Sequence, residues 1–130
     1  MIKKYLAVFV FGCLGGAVRL GITHLPLFGN QFPVGTIIVN LLGCLLFPLV
    51  VYLIAFTLPL SSSIITGLSA GFVASLTTFS SLNLDGLKLF LSQQYLLLAI
   101  YLTLNIVGGL IMALIGLKIS RILVHQQEAF

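Results

Sequence analysis

Four apolar stretches, each long enough to cross a lipid bilayer, make up most of this chain. A span requires about 20 consecutive apolar residues, and inside lipid every backbone amide and carbonyl must find a partner within the protein. Helices meet that requirement because all of their backbone hydrogen bonds are internal. The sequence therefore predicts an all-α integral membrane protein with one four-helix domain over residues 1–130, and spans at about 5–23, 34–58, 64–82 and 95–117.

Composition and charge exclude several other classes of protein. Hydrophobic residues make up 60% of the chain and charged residues 6%, and a water-soluble domain of this length could not bury so much apolar surface. The cations fall mostly near predicted helix ends, so they are expected to anchor the protein at lipid headgroups rather than to bind nucleic acid. The side of the membrane that holds both termini carries four of them: Lys3, Lys4, Lys118 and Arg121. This bias favours cytoplasmic termini.

Residues 70–81, which read AGFVASLTTFSS, place a dense group of hydroxyls inside an apolar segment. Hydroxyls that face lipid cost free energy without any compensating bond. The pattern therefore predicts that the third helix breaks here, where it lines a cavity or binds an ion. Phe79, in the middle of this group, is either a core aromatic or a ring whose positive edge faces an anion.

Two further pairs of polar residues lie inside predicted spans. Thr36 and Asn40 are four residues apart in the second span, and Tyr101 and Asn105 are four apart in the fourth, so each pair shares one helix face. A buried amide must be hydrogen-bonded, and both interhelical contacts and a pore lining would satisfy that requirement. We favour the pore lining, because neutral donors can replace part of an anion's hydration shell without holding the anion too tightly.

Charged residues and glycines inside the spans complete the pattern. Arg19 lies about one turn from the end of the first span, where it either snorkels to the interface or forms a cationic vestibule that attracts anions. No Asp or Glu falls within a predicted span, which argues against a proton-coupled exporter of organic cations. Glycines four apart, such as Gly12 and Gly16, predict close helix contacts within the chain or with a second copy.

Three segments together resemble the Fluc-type (CrcB-like) fluoride channel family. GCLGGAVRL at residues 12–20 resembles a glycine-rich first helix that ends in Arg, GTIIVNLLG at 35–43 is similar to the family's second-helix signature, and GFVASLTTFSS at 71–81 resembles its broken third helix. The resemblance covers essentially the whole chain. It implies a multi-pass protein of a bacterial plasma membrane that exports fluoride passively and forms an antiparallel, two-pore dimer.

The resemblance also implies roles for individual residues. It assigns the fluoride pathway to Asn40, Phe79, Tyr101, Asn105, Thr36 and Ser80. It places Arg19 at an aqueous vestibule and a structural sodium ion at the dimer axis, bound by the backbone carbonyls of Ala74 and Thr77. Leu82 occupies the usual position of a second Phe, and Asp85 that of a Glu. Leu82 and the charge bias both point to a heterodimer with a paralogue, and a homodimer is the alternative that stays open.

Two alternatives remain open at this level. A small proton-coupled exporter of organic cations would have the same size and helix number, although it needs a carboxylate within the membrane. A structural subunit that transports nothing would use its glycines for assembly, and its polar residues for helix contacts. The sequence shows no nucleophile–base pair, metal-binding cluster or phosphate-binding loop, so it predicts no enzyme.

Overall fold

The computed structural model describes residues 1–24 and 32–128. Within these ranges the regular structure is entirely helical, and four helical stretches are long and apolar enough to cross a membrane. The predicted all-α fold with four spans is confirmed. The predicted loop between the first two spans lies mostly in residues 25–31, outside the described residues.

The first two spans are each one continuous helical stretch. Helix α1 covers Ile2–Thr23 and helix α2 covers Val34–Thr57. Pro48 lies inside α2, and the helix widens into a π-helical turn over Leu49–Ile54 immediately after it. A proline has no N–H to donate and crowds the preceding turn, so this local change of hydrogen-bond register is expected.

The third span consists of two helices separated by two residues. Helix α3 covers residues 62–76 and includes a π-helical stretch at Gly67–Val73, and helix α4 covers Phe79–Leu91. Together they form the candidate span Ser62–Leu91. Helix α4 continues past the predicted end near residue 82 because its Leu side chains keep the segment apolar despite its polar residues.

The fourth span is the longest helix. Helix α5 covers Tyr95–Glu128 and has 34 residues, which at 1.5 Å per residue gives a length of about 51 Å. The hydrocarbon core of a bilayer is about 30 Å thick, so α5 extends well past the predicted end at residue 117. It follows α4 after a short turn in which Gln93 has a φ of 58°, a left-handed conformation typical of helix C-termini.

Close glycine contacts hold the helices in two main pairs, α1 with α3 and α2 with α5. A Cβ added to Gly15 would overlap the backbone carbonyl of Phe72 on α3, and one added to Gly71 would lie 2.8 Å from the Val8 carbonyl oxygen. Gly16, by contrast, has no such neighbour within 4 Å. Gly15 rather than Gly16 is therefore the position where α1 requires a glycine to approach α3.

Candidate functional site

The candidate site is centred on Thr77 and Thr78, the two residues between α3 and α4. Thr77 has φ −75° and ψ 156°, and Thr78 has φ −148° and ψ 120°, so both are extended rather than helical. The Thr78 hydroxyl accepts a hydrogen bond from the backbone N–H of Ser81 at 3.1 Å. This is a normal N-cap, which starts α4 and leaves the backbone of Thr78 to find partners elsewhere.

Asn40 on α2 supplies those partners. The backbone N–H of Thr78 donates to Asn40 Oδ1 at 2.8 Å, and Asn40 Nδ2 donates to the Thr78 carbonyl at 3.3 Å. The side-chain amide of Asn40 thus pairs with both the N–H and the carbonyl of Thr78, as the backbone of a neighbouring β-strand would. Because an unpaired backbone N–H is costly inside a membrane protein, Asn40 stabilises the interruption between α3 and α4.

Asn105 on α5 extends this network across a third helix. Asn40 Nδ2 also donates to Asn105 Oδ1 at 2.9 Å, and Asn105 Nδ2 donates to the Tyr101 carbonyl at 2.9 Å. Both hydrogens of the Asn40 amide group are therefore used within the protein. The second hydrogen on Asn105 Nδ2 has no partner among the described residues, and Asn105 is 9% exposed.

Tyr101 contributes a second donor without a partner. Its side chain is fully buried at 0% exposure, and its hydroxyl, although it lies near the Thr36 side chain, makes no hydrogen bond of ordinary geometry to the described residues. The ring packs edge-on against Phe32, with ring centroids 6.1 Å apart, and beside Ile37 and Leu89. A buried hydroxyl without a partner is costly, and a bound water molecule or ion is one way to satisfy it.

The Thr36 hydroxyl, which was predicted to line the pore, hydrogen-bonds a carboxylate on α4. Thr36 is buried at 5% exposure and lies one turn before Asn40 on α2. Its hydroxyl does not join the Asn40 network but donates to Asp85 Oδ2 at 2.7 Å. Asp85 in turn pairs with Lys88 Nζ at 3.5 Å. Asp85 lies outside the predicted third span at 64–82 but within the longer candidate span Ser62–Leu91, which is defined by helix length and composition. The hydrogen bond between Thr36 and Asp85 could not be predicted, because it joins residues 49 positions apart on different helices.

Phe79 and Ser80 begin α4 and face away from the rest of the chain. The Phe79 side chain is 76% exposed, and Ser80 is also exposed. Both adjoin Thr78, so they lie next to the Asn40 network but outside the packed core. Arg19 lies one turn before the end of α1 and is partly exposed, and its carbonyl accepts a bond from the Thr23 hydroxyl at 2.9 Å.

The carbonyls assigned to sodium lie at the same interruption. In a continuous helix the Thr78 N–H would bond the Ala74 carbonyl, but here it donates to Asn40 instead. Similarly, the Ser81 N–H donates to the Thr78 hydroxyl rather than to the Thr77 carbonyl. The Ala74 carbonyl still accepts a hydrogen bond from the Thr77 hydroxyl at 3.3 Å, but neither it nor the Thr77 carbonyl has its usual helical amide partner. Neutral carbonyls of this kind are suitable ligands for a hard monovalent cation. The described residues contain no cluster of three or more His, Cys, Asp or Glu side chains.

These residues define a class: a small multi-pass membrane protein in which uncharged hydrogen-bond donors from two helices, α2 and α5, meet at an interruption in a third span. Residues 6–117 match the family described as CrcB-like protein, Camphor Resistance (CrcB). The chain belongs to this family, and the resemblance drawn from its three sequence segments is confirmed.

Several curated relatives match almost end to end. A Listeria monocytogenes protein named "Fluoride-specific ion channel FluC 2" is 36% identical over 124 residues, covering 95% of this chain and 95% of its own. "Fluoride-specific ion channel FluC 1" of Bacillus cereus is 34% identical over 124 residues, with 94% and 90% coverage. A protein of the latter name from Lactobacillus delbrueckii is 42% identical over 118 residues, with 88% and 86% coverage.

Proposed function

We propose that this chain is a subunit of a passive fluoride channel in a bacterial plasma membrane. Its function is thus transport, and no residue is assigned a catalytic role. The near end-to-end match to relatives named as fluoride-specific channels supports the proposal. The structural observation that carries it is the buried Tyr101 hydroxyl, which makes no hydrogen bond to the described residues, on a residue one helical turn from Asn105 of the Asn40–Asn105 amide pair.

The donors left over by the fold suit a small, strongly hydrated anion. A permeating fluoride must exchange water for protein donors, yet those donors must bind weakly enough to release it. The Tyr101 hydroxyl and the second Asn105 N–H can donate without breaking any bond within the described residues. The exposed Ser80 hydroxyl extends this set on α4.

Asn40 contributes in a different way. Both of its N–H groups are used, so it can donate to fluoride only by releasing Asn105 Oδ1 or the Thr78 carbonyl. Exchanging one hydrogen bond for another changes the free energy by about 1 kcal/mol, which keeps the ion loosely held. We therefore assign Asn40 two roles: it stabilises the extended backbone at Thr78, and it donates a hydrogen bond to the ion as the ion passes.

Phe79 and Arg19 act outside the amide network. The exposed Phe79 ring can present its positive edge to an anion that leaves the amides. Arg19, near the end of α1, raises the local concentration of anions at the mouth of the pathway. Thr36 acts indirectly, because its hydroxyl is held by Asp85.

A second subunit would complete the pathway. Phe79, Ser80 and Asn83 are exposed in the single chain although they lie within the third candidate span, so lipid alone would leave polar groups in contact with hydrocarbon. An antiparallel dimer, either of two copies or with a paralogue, would cover this face. In such a dimer a sodium ion bound by the Ala74 and Thr77 carbonyls would supply a fixed positive charge that ties the subunits together.

The exporter of organic cations remains the second candidate because Asp85 lies within the candidate span Ser62–Leu91. Such a transporter needs a carboxylate that exchanges protons and binds the drug. Here the Asp85 carboxylate is already bonded to Thr36 and paired with Lys88, which favours a structural role. Sensitivity to quaternary ammonium compounds therefore separates the two functions.

The proposal is tested by growth of a fluoride-sensitive bacterium that lacks its own fluoride exporter. Expression of the wild-type chain, with a paralogue where one is required, should restore growth in fluoride and leave drug sensitivity unchanged. Tyr101→Phe should reduce this rescue, whereas Tyr95→Phe on the same helix should retain it, because Tyr95 is exposed. Protection against drugs without protection against fluoride would contradict the proposal.

A further inference from the structure

A groove unrelated to the amide network lies at the end of the molecule where α2 and α5 finish. It has a volume of about 270 Å³ and is lined by Tyr52, Phe56, Ser120, Arg121, Val124 and His125. Helix α5 extends beyond the thickness of the hydrocarbon core, as described above, so its last turns lie at the level of the lipid headgroups. The groove therefore crosses the boundary between acyl chains and headgroups.

The apolar side of the groove is open to lipid. Tyr52 is 49% exposed and Phe56 is 70% exposed, and the two lie one turn apart on α2. Ser120, which also lines the groove, is fully buried, and its hydroxyl shares its one hydrogen between the Gly116 carbonyl at 2.8 Å and the Pro48 carbonyl at 3.3 Å. The Ser120 hydroxyl thus has no spare hydrogen to donate to a ligand. The aromatic side chains of Tyr52 and Phe56 line the groove, as is common at membrane interfaces.

The polar side of the groove is cationic. Arg121 lines it, and Lys118 precedes Arg121 by one turn on α5. Lys3 and Lys4 begin α1 at the same end of the molecule, because an even number of spans returns the chain to the side where it began. This end holds four cations and, with Glu128, one acidic residue, so it attracts anions. Arg binds phosphate groups through two parallel N–H bonds.

We propose that this groove binds an anionic glycerophospholipid of the phosphatidylglycerol type. The Arg121 guanidinium binds the phosphodiester, and one acyl chain lies against Tyr52 and Phe56. Basic pockets between transmembrane helices at the headgroup level bind anionic lipids by this combination of charge and apolar contact. The site is separate from the fluoride pathway, which lies at the interruption between α3 and α4, so it does not depend on the proposed transport function.

Native mass spectrometry of the full chain in detergent tests this site, with phosphatidylglycerol or phosphatidylcholine added at equal concentration. The wild-type chain should retain more phosphatidylglycerol, and Arg121→Gln should lower its apparent affinity roughly five-fold, the effect of one interfacial cation. Lys88→Gln is the matched control, because Lys88 is exposed at the other end of the molecule. It should leave lipid retention unchanged.

Two further measurements keep the test decisive if Arg121→Gln folds poorly. Arg121→Lys should recover part of the retention, and Phe56→Ala should lower it while leaving every charge in place. Equal retention of the two lipids by the wild-type chain, or equal retention by wild type and Arg121→Gln, would overturn the proposal. Displacement of the lipid by millimolar inorganic phosphate would also overturn it, since the site would then bind phosphate rather than a lipid.

Discussion

Replacing either asparagine of the amide pair tests how the network is organised. Asn40→Leu removes three hydrogen bonds: those to the Thr78 N–H, the Thr78 carbonyl and Asn105 Oδ1. Asn105→Leu removes the bond from Asn40 and the bond to the Tyr101 carbonyl. Both variants replace Asn by Leu. The free energy of transferring the new side chain into the protein interior is therefore similar in the two variants and largely cancels when their stabilities are compared.

The two variants should differ in stability because they leave different groups unpaired. Asn40→Leu leaves the Thr78 N–H without a partner, and Thr78 is itself buried. A buried unpaired group costs about 1–3 kcal/mol. Asn105→Leu leaves one Asn40 N–H unpaired, but the backbone of Thr78 keeps both of its bonds. The free energy of unfolding should therefore fall by roughly 1–3 kcal/mol more in Asn40→Leu than in Asn105→Leu.

Equilibrium unfolding in mixed micelles measures this difference, with the double variant completing a thermodynamic cycle. The coupling between the two positions should be about 1 kcal/mol, the worth of the single bond that joins them. Thr103→Val is a suitable control, because Thr103 is exposed on α5 and should change stability little. An Asn105→Leu variant that is as unstable as Asn40→Leu would refute the assignment of Asn40 to the support of Thr78.

The remaining predictions concern helix contact, the pathway and Asp85. Gly15→Ala should destabilise the chain by about 1–3 kcal/mol in the same unfolding assay because its Cβ overlaps a backbone carbonyl; Gly16→Ala is the control, and equal effects would contradict the contact. Phe79→Ile should reduce fluoride flux from liposomes while the proposed dimer remains intact by size-exclusion chromatography, and undiminished flux would remove Phe79 from the proposed pathway. Thr36→Val should cost about 1 kcal/mol or more in the unfolding assay because it leaves Asp85 without its 2.7 Å donor; an unchanged free energy of unfolding would show that this bond contributes nothing.

The sequence was most informative where a polar residue stood alone in an apolar segment. Asn40, Tyr101 and Asn105 could be selected because polar groups inside a membrane are rare, and because a spacing of four places residues on one helix face. The four spans followed from length and hydropathy alone. These features depend on one helix at a time, so they can be read without knowing how the helices pack.

Features that depend on neighbouring helices could not be predicted. The contact between Asn40 and the Thr78 backbone joins residues 38 positions apart, and neither segment contains a signal that identifies the other as its partner. The bond from Thr36 to Asp85 has the same character. Likewise, a motif of small residues does not say which glycine faces the neighbouring helix, and the structure selects Gly15 rather than Gly16.

Fluoride efflux from liposomes tests the central claim most directly. The purified chain is reconstituted, alone and with a paralogous subunit, into vesicles loaded with fluoride or with chloride, and release is recorded with an ion-selective electrode. The proposed function predicts rapid fluoride release, little chloride release, and slower fluoride release for Tyr101→Phe. Absence of fluoride release from both preparations, or equal release of the two halides, would contradict it.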